Sequence, residues 1–472
     1  MRLIRRPLAL VVILLFSSVM LATAAEPGRK MLSGHVPKAL AQLKAQGVLP
    51  ATNRLSLAIG LPVRDPAGLD AYLQELYDRH SPNYHHYLTP EEFTARFGPT
   101  AADYDAVKEF ARTNGFTITA THGNRLLLDV AGSVSAVEKT FQVTLRTYRH
   151  PKESRNFFAP DMEPSVSAQL PIADISGLDN YSRPHPNFQF RPTQVAPRLG
   201  SGSGGAYLGN DFRAAYAPGT TLTGAGQTVG LVQFDGFYAA DITNYATAAG
   251  ITAPPIQTVL IDGFSGASTG GNGNTEVSLD IEMVMAMAPG LSKIVVFEGN
   301  PNNFIPNDVL NQMAANNTVK NLSSSWGWSG GPSTTTDTIF KQMAAQGQSY
   351  FSASGDSDAF PSSYVDNAGN VTAPASSPYI TQVGGTTLST SSAGGQYTSE
   401  TVWNWGYVSS AGAYVGSSGG VSSYYSLPTW QQGINSFANN GGSTTKRNIP
   451  DVALTGDNVF VYYGNGSSTV VG

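Results

Sequence analysis

Two carboxylates four residues apart are the strongest chemical signal in this chain. Glu276 and Asp280 lie in the stretch Asn274-Thr-Glu276-Val-Ser-Leu-Asp280-Ile-Glu282-Met-Val-Met-Ala-Met-Ala-Pro-Gly290. It reads as a helix that begins in a Gly/Asn loop and stops at Pro289-Gly290. The i,i+4 spacing puts both acids on one helical face, where their carboxyls can hydrogen-bond. Val277, Leu279, Ile281, Met283, Val284, Met285 and Met287 leave almost no wet face, so the helix is expected to be buried. A desolvated acid pair raises at least one pKa and so can hold and move a proton. The competing reading is an exposed first turn, where acids simply favour the helix dipole. A third acid, Asp356, closes Ser354-Gly-Asp356 directly after a strand-like run at 349–353.

Composition narrows what these acids can do. The chain has no cysteine, which removes disulfides, thiolate metal sites and cysteine nucleophiles. All seven histidines, His35, His80, His85, His86, His122, His150 and His185, precede residue 206. Nucleophilic chemistry in the second half must therefore use a base other than imidazole, and a carboxylate is the available substitute. Residues 206–472 hold 6 Lys/Arg against 16 Asp/Glu, whereas residues 1–205 hold 22 against 17. The acidic second half argues against nucleic acid as a partner. It suits work at low pH, and it suits a basic first half docking against it.

The elements that must position these residues fall into two units. Arg2, Arg5 and Arg6, the apolar run 8–21 and Ala22-Thr-Ala24 read as a secretory signal over 1–25. Its apolar run is too short for a membrane anchor, and no other stretch could span a bilayer. A secreted, extracellular protein with no membrane association after signal removal is expected. Residues 26–181 alternate a strand at 55–61, a helix from Asp65-Pro66, a capping box at Thr89-Pro-Glu-Glu92 and a third helix capped by Thr100. A hairpin follows around His122-Gly-Asn124, then a helix near 135–141 and a strand at 143–148. That order predicts an α+β, ferredoxin-like domain. Residues 182–205 carry Pro184, Pro186, Pro192 and Pro197 and end in Gly200-Ser-Gly-Ser-Gly-Gly205, the pattern of an exposed, easily cut linker. Residues 206–472 alternate strands and helices, which predicts an α/β, doubly wound, mostly parallel sheet. In such sheets chemistry gathers at the strands' carboxyl ends, where Asp356 is expected.

Several marks occur in order. They are Glu276-x-x-x-Asp280 on a helix ending Met287-Ala-Pro-Gly290, Ser325-Trp-Gly327, Ser354-Gly-Asp356, Pro374-Ala-Ser-Ser-Pro378 and Val383-Gly-Gly-Thr-Thr-Leu388. Glu400-Thr-Val-Trp403, Gly419-Gly-Val-Ser-Ser423 and Arg447-Asn-Ile-Pro-Asp451 follow, and Tyr87-Leu-Thr-Pro-Glu-Glu-Phe93 with Phe97-Gly98 stands in the first half. By these marks the second half resembles the catalytic domain of the sedolisin family, the kumamolisin-like serine-carboxyl peptidases. The first half resembles that family's activation propeptide. The resemblance implies a subtilisin-like fold and peptide-bond hydrolysis through a Ser-Glu-Asp triad. It implies Glu276 as general base and then acid, Asp280 as the residue that orients it and shares its proton, and Asp356 as a neutral acid lining the oxyanion hole. Protein or peptide substrates are implied as partners, with the propeptide as an intramolecular inhibitor; the charge split and the linker composition add the expectation that acidification releases it.

The chain departs from the family pattern in two places. Asp358 stands where the pattern has glycine. The pattern's Gly-Thr-Ser-Ala turn, which carries the nucleophile, is expected just beyond Gly472, and the family's calcium ligands further on; no calcium ligand is placeable here. The chain is therefore read as truncated and unable to form an acyl-enzyme as written. Gly416-Ser-Ser-Gly-Gly420 matches the nucleophile-elbow pattern, but it lies in a Gly/Ser-rich stretch with no histidine after it. Tyr238, Trp326 and Trp403 are read as core residues before substrate contacts, and His85-His86 as a surface turn before a metal pair. Two rivals remain. One is an inactive secreted binding or structural protein on a peptidase scaffold. The other is a carboxylate-pair glycosidase, for which an i,i+4 pair on one face is poorly spaced.

Overall fold

A computed structural model of the chain describes residues 28–192, 198–303, 305–328, 333–360, 376–434 and 436–472. The expected signal sequence, the middle of the linker and the first two residues of Pro374-Ala-Ser-Ser-Pro378 lie outside the described residues.

The first half follows its local signals. Strand β1 (Arg54–Gly60) runs into helix α1 (Pro66–Tyr77), whose cap Asp65 accepts from the Gly68 amide. Helices α2 (Pro90–Arg96) and α3 (Ala101–Thr113) each open on a complete capping box, from Thr89/Glu92 and Thr100/Asp103. Strands β2 (Thr117–Thr121) and β3 (Leu127–Ser133) form the hairpin, and α4 (Val134–Phe141) follows. The sheet order is β2-β3-β1-β4, all antiparallel, with β4 at Asp174–Ser176. This is the ferredoxin-like order, with one correction to its fourth strand. The run expected at 143–148 becomes Leu145–Arg149, which pairs with Gly47–Val48 and Asn156–Pro160 in a separate three-stranded sheet. Local pattern marked the strand, but not which edge it would join. Tyr77, the last residue of α1, is exposed.

The second half is built on one large sheet. Its elements are β5 (Thr228–Gln233), α5 (Ala239–Ala249), β6 (Ile256–Leu260), α6 (Asn272–Met287), β7 (Lys293–Glu298), α7 (Pro306–Ala315) and β8 (Asn321–Ser324). Then come α8 (Thr334–Ala345), β9 (Ser349–Ala353), β10 (Thr381–Thr390), β11 (Tyr397–Val402) and β12 (Val452–Thr455). The order is β6-β7-β5-β8-β9-β10-β11, with β12 also on β10; every pairing is parallel except β10–β11. The expected doubly wound, mostly parallel α/β sheet is therefore present. After β7 the chain crosses β5 to reach β8, so the strand order reverses beside β5, the kind of place where such sheets bind ligands. A final hairpin, β13 (Val459–Tyr463) and β14 (Ser467–Val471), lies outside this sheet. It is held by buried polar groups: Glu282 accepts from the Tyr462 amide, Asn274 from Gly464, and Asp241 from Gly466. The fully buried Arg447 grips Asp451 through both carboxylate oxygens at 2.9 and 2.8 Å, which makes that motif a structural clamp.

The halves share one hydrophobic cluster. Leu69, Tyr72, Leu76 and Phe93 pack in the same core as Leu310, Phe340 and Met343. Polar contacts across the seam are mostly uncharged. The Asn124 amide donates to Asn311 at 2.6 Å and to Gln342 at 2.9 Å, and the Leu88 amide donates to the Ala345 carbonyl. Among the described residues two ion pairs join residues 1–205 to 206–472: Asp70–Lys341 puts its acid on the first half, and Arg198–Asp457, from the end of the linker, puts its base there. The expected docking of a basic face on an acidic one is thus represented by a single pair, and the remaining seam contacts do not use the net charge difference.

Candidate active site

Helix α6 buries its acid-bearing face. Glu276 has no exposed surface and Asp280 is 7 % exposed, so the exposed-first-turn alternative fails. Beside them stand the carboxyl ends of three neighbouring strands, β5, β8 and β9, which deliver Gln233, Ser325 and Asp356. All three acids named from the sequence come together here: Glu276 lies close enough to Asp280 and Asp356 to feel both charges.

Their environments differ, and so do their proton affinities. The Ser325 hydroxyl donates to one Asp280 oxygen at 2.6 Å and the Gln233 side-chain amide to the other at 2.6 Å. The Trp326 indole N–H donates to the Gln233 oxygen at 2.6 Å and fixes which way that amide points. Burial pushes Asp280 up to about 6, while these two donors pull it down. Among the described residues, neither oxygen of Glu276 has a hydrogen-bond partner. Burial raises it well above the usual glutamate range, and the Asp280 and Asp356 charges add to that; the Asn187 amide and Ser325 hydroxyl, nearby, pull the other way. The two helix acids therefore interact through charge rather than by the direct hydrogen bond the spacing allowed. The environment places the negative charge on Asp280 and the proton on Glu276. Burial alone pushes Asp356 up to about 7, and its Oδ2 is buried without a partner.

The Asp356 loop is held by the Gly/Ser-rich strand Ala413–Ser426. Gly416 and Ser418 donate their amides to the Asp356 and Gly355 carbonyls, and Ser354 donates its hydroxyl to the Ser418 carbonyl. The Ser418 hydroxyl accepts from the Ser357 amide at 2.8 Å and is 1 % exposed. The nucleophile-elbow pattern is thus a loop support inside a strand, and its serine has no access to substrate. Asp358, where the family pattern has glycine, adopts φ +57°, a left-handed conformation that costs a side-chain-bearing residue about 1 kcal/mol. Asp358→Gly is expected to stabilise the chain by about that amount, read as a higher urea midpoint at unchanged slope. An unchanged or lower midpoint would refute this strain.

Trp326 and Trp403 are buried, Tyr238 is half-buried, and His85-His86 is an exposed turn with His85 stacked 3.9 Å from Tyr84. Gln233 is the site residue that sequence reading missed. Its only signal is a polar side chain ending the apolar strand Thr-Val-Gly-Leu-Val-Gln. The predicted linker also behaves differently from expectation near this site. His185-Pro186 pairs antiparallel with Gly327 and Trp326, and the Asn187 amide donates to the Ser325 carbonyl at 3.0 Å. Residues 189–191 then pair with 470–472. The linker's first part is strand-paired on both sides rather than free.

Residues 41–181 match the family model "Pro-kumamolisin, activation domain". The chain is 30 % identical over 469 residues to kumamolisin of Bacillus sp. (strain MN-32), covering 95 % of this chain and 82 % of that protein. It is 30 % identical over 451 residues to sedolisin of Pseudomonas sp. (strain 101), covering 90 % and 75 %. Among solved structures, Pseudomonas sedolisin, a serine-carboxyl proteinase complexed with two molecules of pseudo-iodotyrostatin, matches at 26 % identity with TM-score 0.48, over 58 % of this chain and 76 % of that one. With relatives this similar over nearly its whole length, the chain belongs to the sedolisin family of serine-carboxyl peptidases and carries that family's activation propeptide.

Proposed function

We propose that the chain is the exported precursor of an acid-acting endopeptidase that uses a Ser-Glu-Asp triad. The observation that carries this reading is the gathering of Glu276, Asp280 and Asp356 at the carboxyl ends of β5, β8 and β9, with no histidine anywhere in residues 206–472. Glu276 first yields its resting proton to Asp280, which Ser325 and Gln233 anchor; it then takes the serine's proton as the tetrahedral intermediate forms and returns that proton to the leaving amine. Asp356, neutral at acid pH, donates to the oxyanion. No serine within the chain is assigned as nucleophile; the family pattern places it just after Gly472.

In this reading, residues 1–25 are the signal, 26–181 the propeptide, 182–205 the linker with the processing site, and 206–472 the catalytic domain. The paired linker supports an inhibitory role. Its backbone runs antiparallel along Trp326-Gly327 beside Glu276, where a substrate strand would add. Calcium is not placed. Among the described residues the one group of three or more His, Asp and Glu side chains whose ligand atoms all lie within 4.8 Å of one another contains an imidazole, which does not suit calcium's all-oxygen shell. No described helix is long and apolar enough to cross a membrane.

The test uses the chain extended in frame through the expected serine. Casein cleavage, preceded by loss of the first half, is expected below about pH 6, with little at pH 8. No cleavage at any pH would favour the reading as a binding protein on a peptidase scaffold.

A further inference from the structure

The seam between propeptide and catalytic domain contains a charge problem. At the end of the β2–β3 hairpin, His122 and Asp129 face Asp308, the third residue of α7. The His122 Nε2 lies 2.8 Å from Asp129 Oδ2, and the available ligand atoms of the three residues all lie within 4.8 Å of one another. Asp262, after β6, has its carboxyl in contact with that of Asp308. Three carboxylates thus converge on one imidazole. Asp129 and Asp308 are 7 % and 2 % exposed, and although the Asp308 carboxyl is in hydrogen-bond contact with those of Asp129 and Asp262, the Oδ1 atoms of Asp129 and Asp308 are buried with no partner among the described residues. Buried acceptors of like charge are strongly unfavourable unless a proton or a cation sits among them, and a cation with several ligand positions can serve all of these oxygens at once.

We propose that His122, Asp129 and Asp308, with Asp262 beside them, form a divalent transition-metal site that bridges the propeptide and the catalytic domain. The donor set points to the metal class: one imidazole with two or three carboxylates suits zinc or manganese, whereas calcium and magnesium take oxygen alone. The frame is rigid. The Tyr104 hydroxyl accepts from the His122 amide at 3.1 Å and donates to the Leu127 carbonyl at 2.7 Å, pinning the hairpin that carries two of the ligands. Asp308 lies in the first turn of α7 and is fixed by that helix. Because the ligands come from both halves, a bound ion fastens the propeptide to the catalytic domain. The proposal rests on the precursor organisation above but not on the catalytic roles.

Zinc ion titrated calorimetrically into the untagged full chain at pH 7 tests this, together with thermal unfolding with zinc or with a chelator. One zinc per chain is expected, with an unfolding midpoint that zinc raises and the chelator lowers. Asp308→Asn and His122→Gln are each expected to weaken binding at least about 10-fold and to remove the zinc-dependent shift. His122→Gln, on a half-buried turn, carries the test if Asp308→Asn fails to fold. No stoichiometric zinc, or binding of equal strength in both variants, overturns the site. Neither result bears on peptide cleavage, so the catalytic reading is tested separately.

Discussion

Glu276→Gln lowers acid proteolysis by the extended chain by about 10²–10⁴-fold, the usual contribution of a positioned general acid–base. Glutamine keeps the volume and polarity of the side chain but can neither accept the serine's proton nor return it. The loss should therefore fall on kcat rather than KM, since in the proposed mode substrate adds along the Trp326-Gly327 edge and not through this carboxyl. A second readout separates chemistry from misfolding. Burial raises the folded pKa of Glu276, so its folded form favours the proton. Such a group contributes stability that is fully present below its unfolded pKa, near 4, and is lost as pH rises through the folded value. Removing the carboxyl should leave the unfolding midpoint unchanged near pH 3 and raise it at pH 7. A variant that loses activity and is also less stable at both pH values would mean that Glu276 is a packing residue. The wild type carries the same trend through Asp280 and Asp356, raised to about 6 and about 7, and should be most stable in acid.

How much of this was legible depended on whether a signal was local. The capping box at Thr89 and the cap at Thr100 appear where the pattern put them, because a cap is written within a few residues. The acid pair was legible for the same reason, since i,i+4 is a property of one helix. What failed was long-range. The strand expected at 143–148 joined another sheet, and 174–176 took its place, because edge selection depends on contacts more than a hundred residues apart in the chain. The role of Gln233 depends on meeting Asp280 and Trp326 from different elements. The charge split misled for a related reason: net charge describes the average surface, whereas the seam is settled by a few buried groups, Asn124, Asn311 and Gln342 among them.

Asp356 separates two ways in which an acid can serve an oxyanion, and its variants should diverge sharply. Its carboxyl is raised to about 7 by burial, with no donor reaching Oδ2 among the described residues, so below neutrality it carries a proton and can donate a hydrogen bond. An ionised Asp356 would repel the oxyanion instead. Wild-type activity should accordingly fall as pH rises through about 7. Asp356→Ala removes the donor and should cost about 10²–10³-fold in kcat at all pH values. Asp356→Asn keeps a donor that cannot be titrated away. It should retain activity within about 10-fold of wild type in acid and lose the fall near pH 7, leaving only whatever limits the dyad of Glu276 and Asp280. The pair of variants is decisive where either alone is ambiguous. If the asparagine variant keeps the same alkaline fall, that limb belongs to another group; if it is as inactive as the alanine variant, Asp356 acts through its charge, and the neutral-donor role fails. The flanking contacts make a folding artefact easy to recognise, because the loop is held by the Gly355 and Asp356 carbonyls and the Ser354 and Ser418 hydroxyls rather than by the Asp356 side chain.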